Sequence, residues 1–229
     1  MSRYFQQTDK FAKNSAMIIT VFGANGRVGK RIVSTALLQD FQVRAFGRNV
    51  EFFIDESLRN KNLKPIKGYV FSTSEVFDAI NGSDAVLSAL GGSIDTTDKT
   101  RSLGIKYIIE EMKKAGVKRI VTVGSSAVLK DDDYGFVVND PKYPALYKQV
   151  GLEHLKAYEY LNASGLDWTI LCSPSITDED ANGRYIISED YPPIPNLFTV
   201  KAGNIADFIV KELKRNDHLN KRIGISDRN

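Results

Sequence analysis

Apolar runs of strand length alternate along the chain with longer segments in which apolar residues recur at helical spacing. Seven runs predict strands, at 17–22, 41–46, 63–70, 84–90, 119–124, 167–172 and 222–226. Three intervening segments place their apolar residues on one helix face: Val28, Ile32, Val33 and Leu37; Leu103, Tyr107, Ile108 and Met112; and Ile205, Phe208, Ile209 and Leu213. This alternation predicts an α/β fold with a doubly wound, mostly parallel sheet.

The alternation runs on without an internal repeat or a linker. We therefore expect residues 17–229 to form a single domain, preceded by an N-terminal extension at 1–16. A chain of 229 residues that is 42% hydrophobic can bury one core of this size. Two stretches, 130–144 and 173–196, lack a regular pattern. Connections this long in a compact domain are usually functional or disordered, and we mark both as candidate loops that wall a substrate site.

Charge and cysteine content exclude several classes of protein. The formal net charge of +3 is small, and the charged residues are interspersed, with no dense basic run for nucleic acid. The single cysteine, Cys172, excludes an internal disulfide and a cysteine metal cluster, and we expect no metal. No apolar run approaches a membrane span, and the first residues carry no signal-peptide core. We therefore expect a cytoplasmic protein, monomeric or weakly dimeric, without a nucleic-acid or membrane partner.

The segment "ITVFGANGRVGKRIV", residues 19–33, places three glycines between the first strand and the first helix. Gly23 permits a tight turn, Gly26 lets the backbone approach a pyrophosphate, and Gly29 lets helix and strand pack closely. The spacing is G-x-x-G-x-x-G rather than G-x-G-x-x-G, but the flanking strand and helix are those of a Rossmann-type dinucleotide site. The expected cofactor-binding residues in this segment are Gly23, Asn25, Gly26, Arg27, Val28 and Gly29.

The end of the second strand indicates which dinucleotide is bound. An acidic residue there commonly binds the ribose of NAD, whereas a 2′-phosphate requires positive charge. The strand ends "VRAFGRN", with Arg44 and Arg48 and no acid before Glu51. A guanidinium can donate two parallel hydrogen bonds to a phosphate, so we assign this role to Arg48 and expect NADP(H) as the cofactor. Arg44 reads as an ordinary surface arginine, and Arg27 could add a further charge.

The carboxyl ends of the fourth and fifth strands should also face the cofactor. "SALGG" offers Ala89, Leu90 and Gly91 as small or apolar contacts, although a flexible turn explains this segment equally well. "TVGSSAV" places Ser125 or Ser126 near the nicotinamide. A serine pair at a strand end is often only a helix cap or a turn.

With "DAVLSALGG", "AGVKRIVTVGSSA" and "LNASGLDWTIL", these motifs resemble the atypical short-chain dehydrogenases/reductases of the NmrA-like group. Within that group the sequence is most similar to flavin reductases of the biliverdin-IXβ reductase type, from about residue 17 to the C-terminus. The resemblance implies that Ser126 lies beside the nicotinamide and that His154 stands on a helix near it. It also implies that "SPSITD" lines the reactive end of the cofactor through Pro174, Ser175 and Ile176.

The sequence departs from ordinary short-chain dehydrogenases at their Tyr-x-x-x-Lys pair, in which the lysine lowers the pKa of the tyrosine. Val150 and His154 stand at the two positions, and Tyr147 and Lys148 are adjacent rather than four residues apart. Alcohol dehydrogenation by the tyrosine mechanism is therefore disfavoured. An acceptor that needs little acid help is favoured instead.

A flavin or quinone is such an acceptor, because positioning it against the nicotinamide supplies most of the rate enhancement. The sequence thus predicts a reductase that uses NADPH and a conjugated small-molecule acceptor. Ser126 could fix the carboxamide or ribose, His154 could orient the cofactor or donate a proton, and Tyr147 could stack on the acceptor, as could Tyr185 or Tyr191. A structural role for His154 is equally open. The alternative function is a non-catalytic NADP-binding regulator of the NmrA kind, and a sugar epimerase is disfavoured because such proteins usually keep the Tyr-Lys pair.

Overall fold

The computed structural model describes residues 16–94 and 97–228, so the predicted extension at 1–16 falls almost entirely outside the described residues. Twelve strands and six α-helices occupy these ranges. The strands are β1 Ile18–Phe22, β2 Gln42–Gly47, β3 Leu63–Lys67, β4 Ala85–Ser88, β5 Arg119–Ser125, β6 Lys130–Asp131, β7 Gly135–Phe136, β8 Asp167–Ser173, β9 Ser175–Thr177, β10 Tyr185–Glu189, β11 Thr199–Lys201 and β12 Lys221–Asp227. The helices are α1 Arg27–Leu37, α2 Glu51–Arg59, α3 Thr73–Ile80, α4 Thr100–Lys114, α5 Ala145–Asn162 and α6 Ala202–Arg215.

Eight strands form one twisted central sheet in the order β10-β12-β8-β5-β4-β1-β2-β3. Every neighbouring pair is parallel except β10 and β12. The chain therefore starts at the centre, moves outward to β3 and returns across β1 to β4 on the other side. This reversal creates a switch point between β1 and β4, where α/β proteins bind ligands at the carboxyl ends of the strands. The predicted α/β, doubly wound, mostly parallel fold is confirmed.

Two apolar cores lie on the two faces of the sheet. Helices α1 and α6 cover one face, and their predicted apolar residues Ile32, Val33, Ile205 and Ile209 are fully buried. Helices α3, α4 and α5 cover the other face. Covering both faces with helices explains why the central strands are continuous apolar runs rather than alternating ones.

The face of α4 differs from the predicted one. Ile105, Ile108, Ile109 and Met112 are buried, whereas Leu103 and Tyr107 are only half-buried. The helix packs against α3 on one side and α5 on the other, so its buried surface is wider than a single amphipathic stripe and is shifted from the predicted one.

The two stretches expected to be loops contain regular structure. Strand β10 lies within 173–196 and pairs antiparallel with β12 at the edge of the central sheet. Strands β6 and β7 form a small hairpin within 130–144. These strands are short and lie at sheet edges, so no continuous apolar run in the sequence predicts them.

The second stretch is tied to the first through a buried arginine of β12. The Arg222 guanidinium lies 5.4 Å from the ring centroid of Phe136 in the first stretch and bonds to Asp190 in the second. It also donates to the carbonyl of Val128, just after β5, at 2.9 Å. The region after β5 is therefore held against the region after β10. Of the described helices, none is long and apolar enough to cross a membrane.

Candidate functional site

The glycine turn after β1 is packed so tightly that two of its glycines admit no side chain. Gly23 has a φ of +71°, and a β-carbon there would lie 2.5 Å from the carbonyl oxygen of Ala89. A β-carbon on Gly29 would lie 2.1 Å from the carbonyl oxygen of Gly23. Both contacts are with backbone, which cannot move aside as a flexible side chain could. Gly23 thus fixes the turn against the end of β4, and Gly29 fixes α1 against the turn.

Gly26 differs from its two neighbours because the fold does not require a glycine there. It is exposed, its φ is −74°, and a β-carbon would meet only the Gly23 carbonyl, at 3.2 Å. Its N–H donates to that same carbonyl at 3.0 Å. The lack of a side chain leaves the surface of the turn open at the point where a pyrophosphate would approach.

Helix α1 begins directly after this turn, and no side chain of the described residues caps its N-terminus. Gly26 supplies no side-chain cap, and no acidic residue lies in the first turn. The N–H groups and the positive end of the helix dipole can therefore serve an external anion. Arg27, exposed at the same point, donates from Nη1 to the carbonyl of Ile176 at 2.7 Å. This contact brings together the glycine turn and the "SPSITD" segment, two predicted parts of the cofactor site.

The two arginines of the second strand have different environments. The Arg44 guanidinium donates to the carbonyls of Ala79 and Asn81, at 3.0 and 2.7 Å, and so closes the C-terminal end of α3. Arg44 therefore has a structural role. Arg48 is exposed, and no hydrogen bond or ion pair among the described residues engages its guanidinium. Arg48 is thus the arginine at this strand end that is free to bind an anion.

Cationic and aromatic groups surround the same end of the sheet. The Lys30 ammonium lies 4.3 Å from the ring centroid of Phe52, which is 60% exposed. Glu51, the acid that follows the second strand, has its carboxylate 3.8 Å from the Lys67 ammonium. A β-carbon on Gly47 would lie 3.1 Å from the Asn25 side-chain oxygen, so Asn25 bridges the glycine turn and the end of β2.

At the ends of β4 and β5, Ala89 and Leu90 are half-buried, and Gly91 is exposed with open space where a side chain would stand. The Ser125 hydroxyl accepts the N–H of Ala127 at 3.2 Å and so caps the 3-10 turn Ser126–Val128. Ser125 therefore has the capping role that such serines often have. Ser126 is half-buried at the start of this turn, and its hydroxyl makes no hydrogen bond to another described residue.

His154, half-buried on α5, lines a small cavity of about 20 Å³ together with Leu90, Arg101 and Gly124. Burial, and to a lesser extent the charge of Arg101, lowers the pKa of His154 to about 3. The imidazole is therefore neutral at physiological pH. It can orient a neighbouring group, but it does not hold the extra proton that an imidazolium would donate.

The three tyrosines proposed as stacking walls do not behave alike. The Tyr185 hydroxyl donates to Asp207 at 3.0 Å, and the Tyr191 hydroxyl donates to Asp132 at 3.0 Å. Tyr147 is 49% exposed at the start of α5, and no hydrogen bond among the described residues uses its phenol. Tyr147 is the one of the three whose side chain is available.

Two residues near the reactive end escaped the sequence analysis. Phe198 is 71% exposed with a φ of +57°, and its carbonyl accepts the N–H of Ser175 at 3.2 Å. A bulky residue in the left-handed region is uncommon and costs free energy. The second residue, Tyr143, reaches back from the turn before α5 toward Ser125. Neither belongs to a local motif, so only the pairing of β9 with β11 and the path of the chain into α5 reveal them.

The switch point, the glycine turn and the free terminus of α1 together define a Rossmann domain that binds a dinucleotide. The sequence matches the NAD(P)H-binding family over residues 23–216, and the chain belongs to this family. The resemblance drawn from the sequence motifs is thereby confirmed at the level of NAD(P)H-binding Rossmann proteins.

Individual relatives differ in their described activities. An uncharacterized chloroplastic protein of Arabidopsis thaliana is 27% identical over 212 residues, which cover 88% of this chain and 72% of the relative. An uncharacterized sugar epimerase of Bacillus subtilis is 28% identical over 183 residues, 76% of this chain and 79% of the relative. The crystal structure of a candidate NADH-flavin reductase from Streptococcus pneumoniae superposes with a TM-score of 0.78 at 22% identity, over 93% of this chain and all of the other. At that identity the similarity shows a shared fold.

Proposed function

We propose that this protein is an NADPH-dependent reductase that transfers hydride to a flavin- or quinone-type acceptor. The observation that carries the proposal is a dinucleotide cradle, built from Gly23, Gly26 and the free end of α1, with the unengaged cation Arg48 at its adenosine side. The cradle is followed by a reactive end that lacks the Tyr-x-x-x-Lys pair. This combination suits a redox reaction in which holding the partners in place matters most.

The residues present fit a nicotinamide dinucleotide. The turn from Gly23 to Gly29 and the first N–H groups of α1 would hold the pyrophosphate, with Arg27 as an added charge. Ala89, Leu90 and Gly91 would border the middle of the cofactor, and Ser125, Pro174, Ser175 and Ile176 its nicotinamide end. When bound, the cofactor supplies the hydride.

Arg48 supports NADP(H) over NAD(H). Its guanidinium is exposed and unengaged, and the acid that follows, Glu51, faces Lys67. A 2′-phosphate would find the unengaged Arg48 guanidinium at the strand end, where the Glu51 carboxylate lies 3.8 Å from the Lys67 ammonium.

The acceptor would bind against the exposed nicotinamide face, between the ends of β5 and β9. Phe198 and Tyr147, both exposed, offer aromatic surface for a conjugated ring. Ser126 offers a hydroxyl, and the neutral imidazole of His154 can orient the cofactor from α5. The Bacillus subtilis relative described as a sugar epimerase suggests a sugar substrate as another possibility. The absent Tyr-Lys pair argues against epimerase chemistry in this chain.

A second candidate is a non-catalytic regulator in which cofactor occupancy controls a protein partner. The observation that favours it is the lack of a charged acid at the predicted catalytic positions, since His154 is neutral and Tyr147 has no polar partner within the described chain. Both candidates require the same cofactor site.

The testing experiment titrates the purified protein with NADPH and with NADH and then follows absorbance at 340 nm after addition of FMN or menadione. Tighter binding of NADPH and steady oxidation above the blank without protein support the reductase. Tight binding without turnover on either acceptor favours the regulator. Ser126→Ala and His154→Ala, compared with the surface variant Arg59→Ala, then report whether these side chains affect turnover more than cofactor affinity.

A further inference from the structure

Tyr143, a half-buried residue, brings its phenol to the end of β5. It precedes α5 by two residues, and its N–H donates to the carbonyl of Asp140 at 2.9 Å, which turns the chain toward the sheet. A β-carbon built on Gly151 of α5 would lie 3.1 Å from the Tyr143 phenol oxygen and 3.2 Å from the β-carbon of Ala127. The phenol oxygen therefore fills the gap that the glycine leaves between α5 and the turn that contains Ser126.

The Ser125 hydroxyl is the polar partner of this phenol. Because Ser125 Oγ already accepts the N–H of Ala127, its own proton is available to donate to the Tyr143 oxygen. Burial raises the pKa of Tyr143, and the hydrogen bond from Ser125 partly opposes that rise. The phenol thus keeps its proton at physiological pH, and its oxygen is supported if the proton leaves.

Tyr143 also has a cation near its ring. The Lys148 ammonium lies 5.9 Å from the ring centroid and donates to the carbonyl of Val138. The phenol, the serine hydroxyl and the lysine come from β5 and from the turn and first residues of α5. They form a group separate from Val150 and His154, the positions that correspond to the usual Tyr-Lys pair.

We propose that Tyr143 is the catalytic proton donor of the reductase, with Ser125 as the positioning residue that holds its oxygen; this inference rests on the proposed function. The phenol O–H bond breaks, and its proton forms the new O–H bond on a quinone oxygen or the new N–H bond on a flavin nitrogen. The hydride supplies both electrons and forms the other new bond of the reduced acceptor, an O–H bond on the quinone or an N–H bond on the flavin. The nicotinamide that gives up the hydride would be left in its NADP⁺ form. A solvent proton then restores the phenol.

The test compares the full-length wild type, Tyr143→Phe and the control Tyr160→Phe with NADPH and menadione. Tyr160 lies at the far end of α5 under Lys106 and Lys156, so its hydroxyl is remote from the site. Tyr143→Phe should lower kcat for menadione at least about tenfold, at the low end for loss of a general acid, because water replaces it in part. The KM for NADPH should stay within about twofold of the wild-type value, since the phenol acts on the acceptor.

A second readout does not depend on turnover. Menadione binding to the NADP⁺ complex should weaken about threefold to tenfold in Tyr143→Phe, the size of a single neutral hydrogen bond. Ser125→Ala should also lower kcat, and Ser125→Thr, which keeps the hydroxyl, should restore most of it.

Equal kcat and equal menadione affinity in wild type and Tyr143→Phe would overturn the assignment and leave the reductase function intact. A wild type that binds menadione without oxidising NADPH would refute the reductase function, and the binding comparison would then decide the Tyr143 contact alone. A wild-type NADP⁺ complex that binds no menadione would overturn both.

Discussion

Alanine at Gly26 and at Gly29 should have opposite consequences, although the two glycines are only three residues apart. At Gly29 the new β-carbon would stand 2.1 Å from the Gly23 carbonyl oxygen and 2.8 Å from the α-carbon of Ala24. The first distance is more than about 1 Å inside an ordinary contact. Both neighbours are backbone in the turn that packs on β4, so helix α1 must move away from the sheet.

Overpacking of this kind costs about 1–3 kcal/mol, and Gly29→Ala belongs at the upper end because no side chain can rotate aside. For a domain of this size, about 3 kcal/mol lowers Tm by roughly 6–12 °C. At Gly26 the new β-carbon would meet one carbonyl at 3.2 Å, which a shift of a few tenths of an ångström relieves. The smaller entropy of the unfolded alanine chain offsets that cost, so Gly26→Ala should stay within about 1 kcal/mol of wild type.

For NADPH affinity we expect the reverse order, with Gly26→Ala the more affected of the two variants. Gly26→Ala should bind NADPH at least about tenfold more weakly, because its methyl group occupies the open surface of the turn. Urea unfolding and thermal melting measure the stabilities, and fluorescence titration with NADPH at 20 °C measures the affinities. A wild-type Tm for Gly29→Ala would refute the packing argument, and wild-type NADPH affinity for a folded Gly26→Ala would remove the pyrophosphate from the glycine turn.

Three further predictions concern single side chains. Arg48→Ala should weaken NADPH binding about tenfold to a hundredfold, the range of a charged hydrogen bond, and leave NADH binding unchanged. Arg59→Ala, at the other end of α2, should change neither affinity. Equal losses of affinity for both cofactors would exclude contact with the 2′-phosphate. His154 has a folded pKa of about 3 against about 6.5 in the unfolded chain, so its NMR resonance should keep one constant shift from pH 8 to 5. Its contribution should lower the free energy of unfolding as the pH falls below about 6.5. A His154 resonance that titrates near pH 6.5 would contradict this. Burial raises the pKa of the Cys172 thiol, so a disulfide reagent should modify it only after unfolding, and rapid modification of the native protein would show that the thiol is accessible.

The sequence by itself determined the α/β fold and the glycine turn. Both follow from local requirements: strand and helix periods repeat over a few residues, and the turn demands a positive φ at Gly23 and a missing side chain at Gly29. It also distinguished this chain from ordinary short-chain dehydrogenases, because the absent Tyr-x-x-x-Lys pair is a local pattern.

The tertiary structure decided what each polar side chain does. Arg44 and Arg48 lie four residues apart at one strand end, yet only the path of α3 brings carbonyls to Arg44 and leaves Arg48 free. The neutral state of His154 arises from burial by α4 and β5, which no pattern in its own helix specifies. Tyr143 reaches Ser125 because Gly151 of α5 leaves room for its phenol oxygen. This contact joins segments that are distant in the sequence. Contacts between segments far apart in sequence depend on packing of the whole domain, so they leave no periodic trace in the chain.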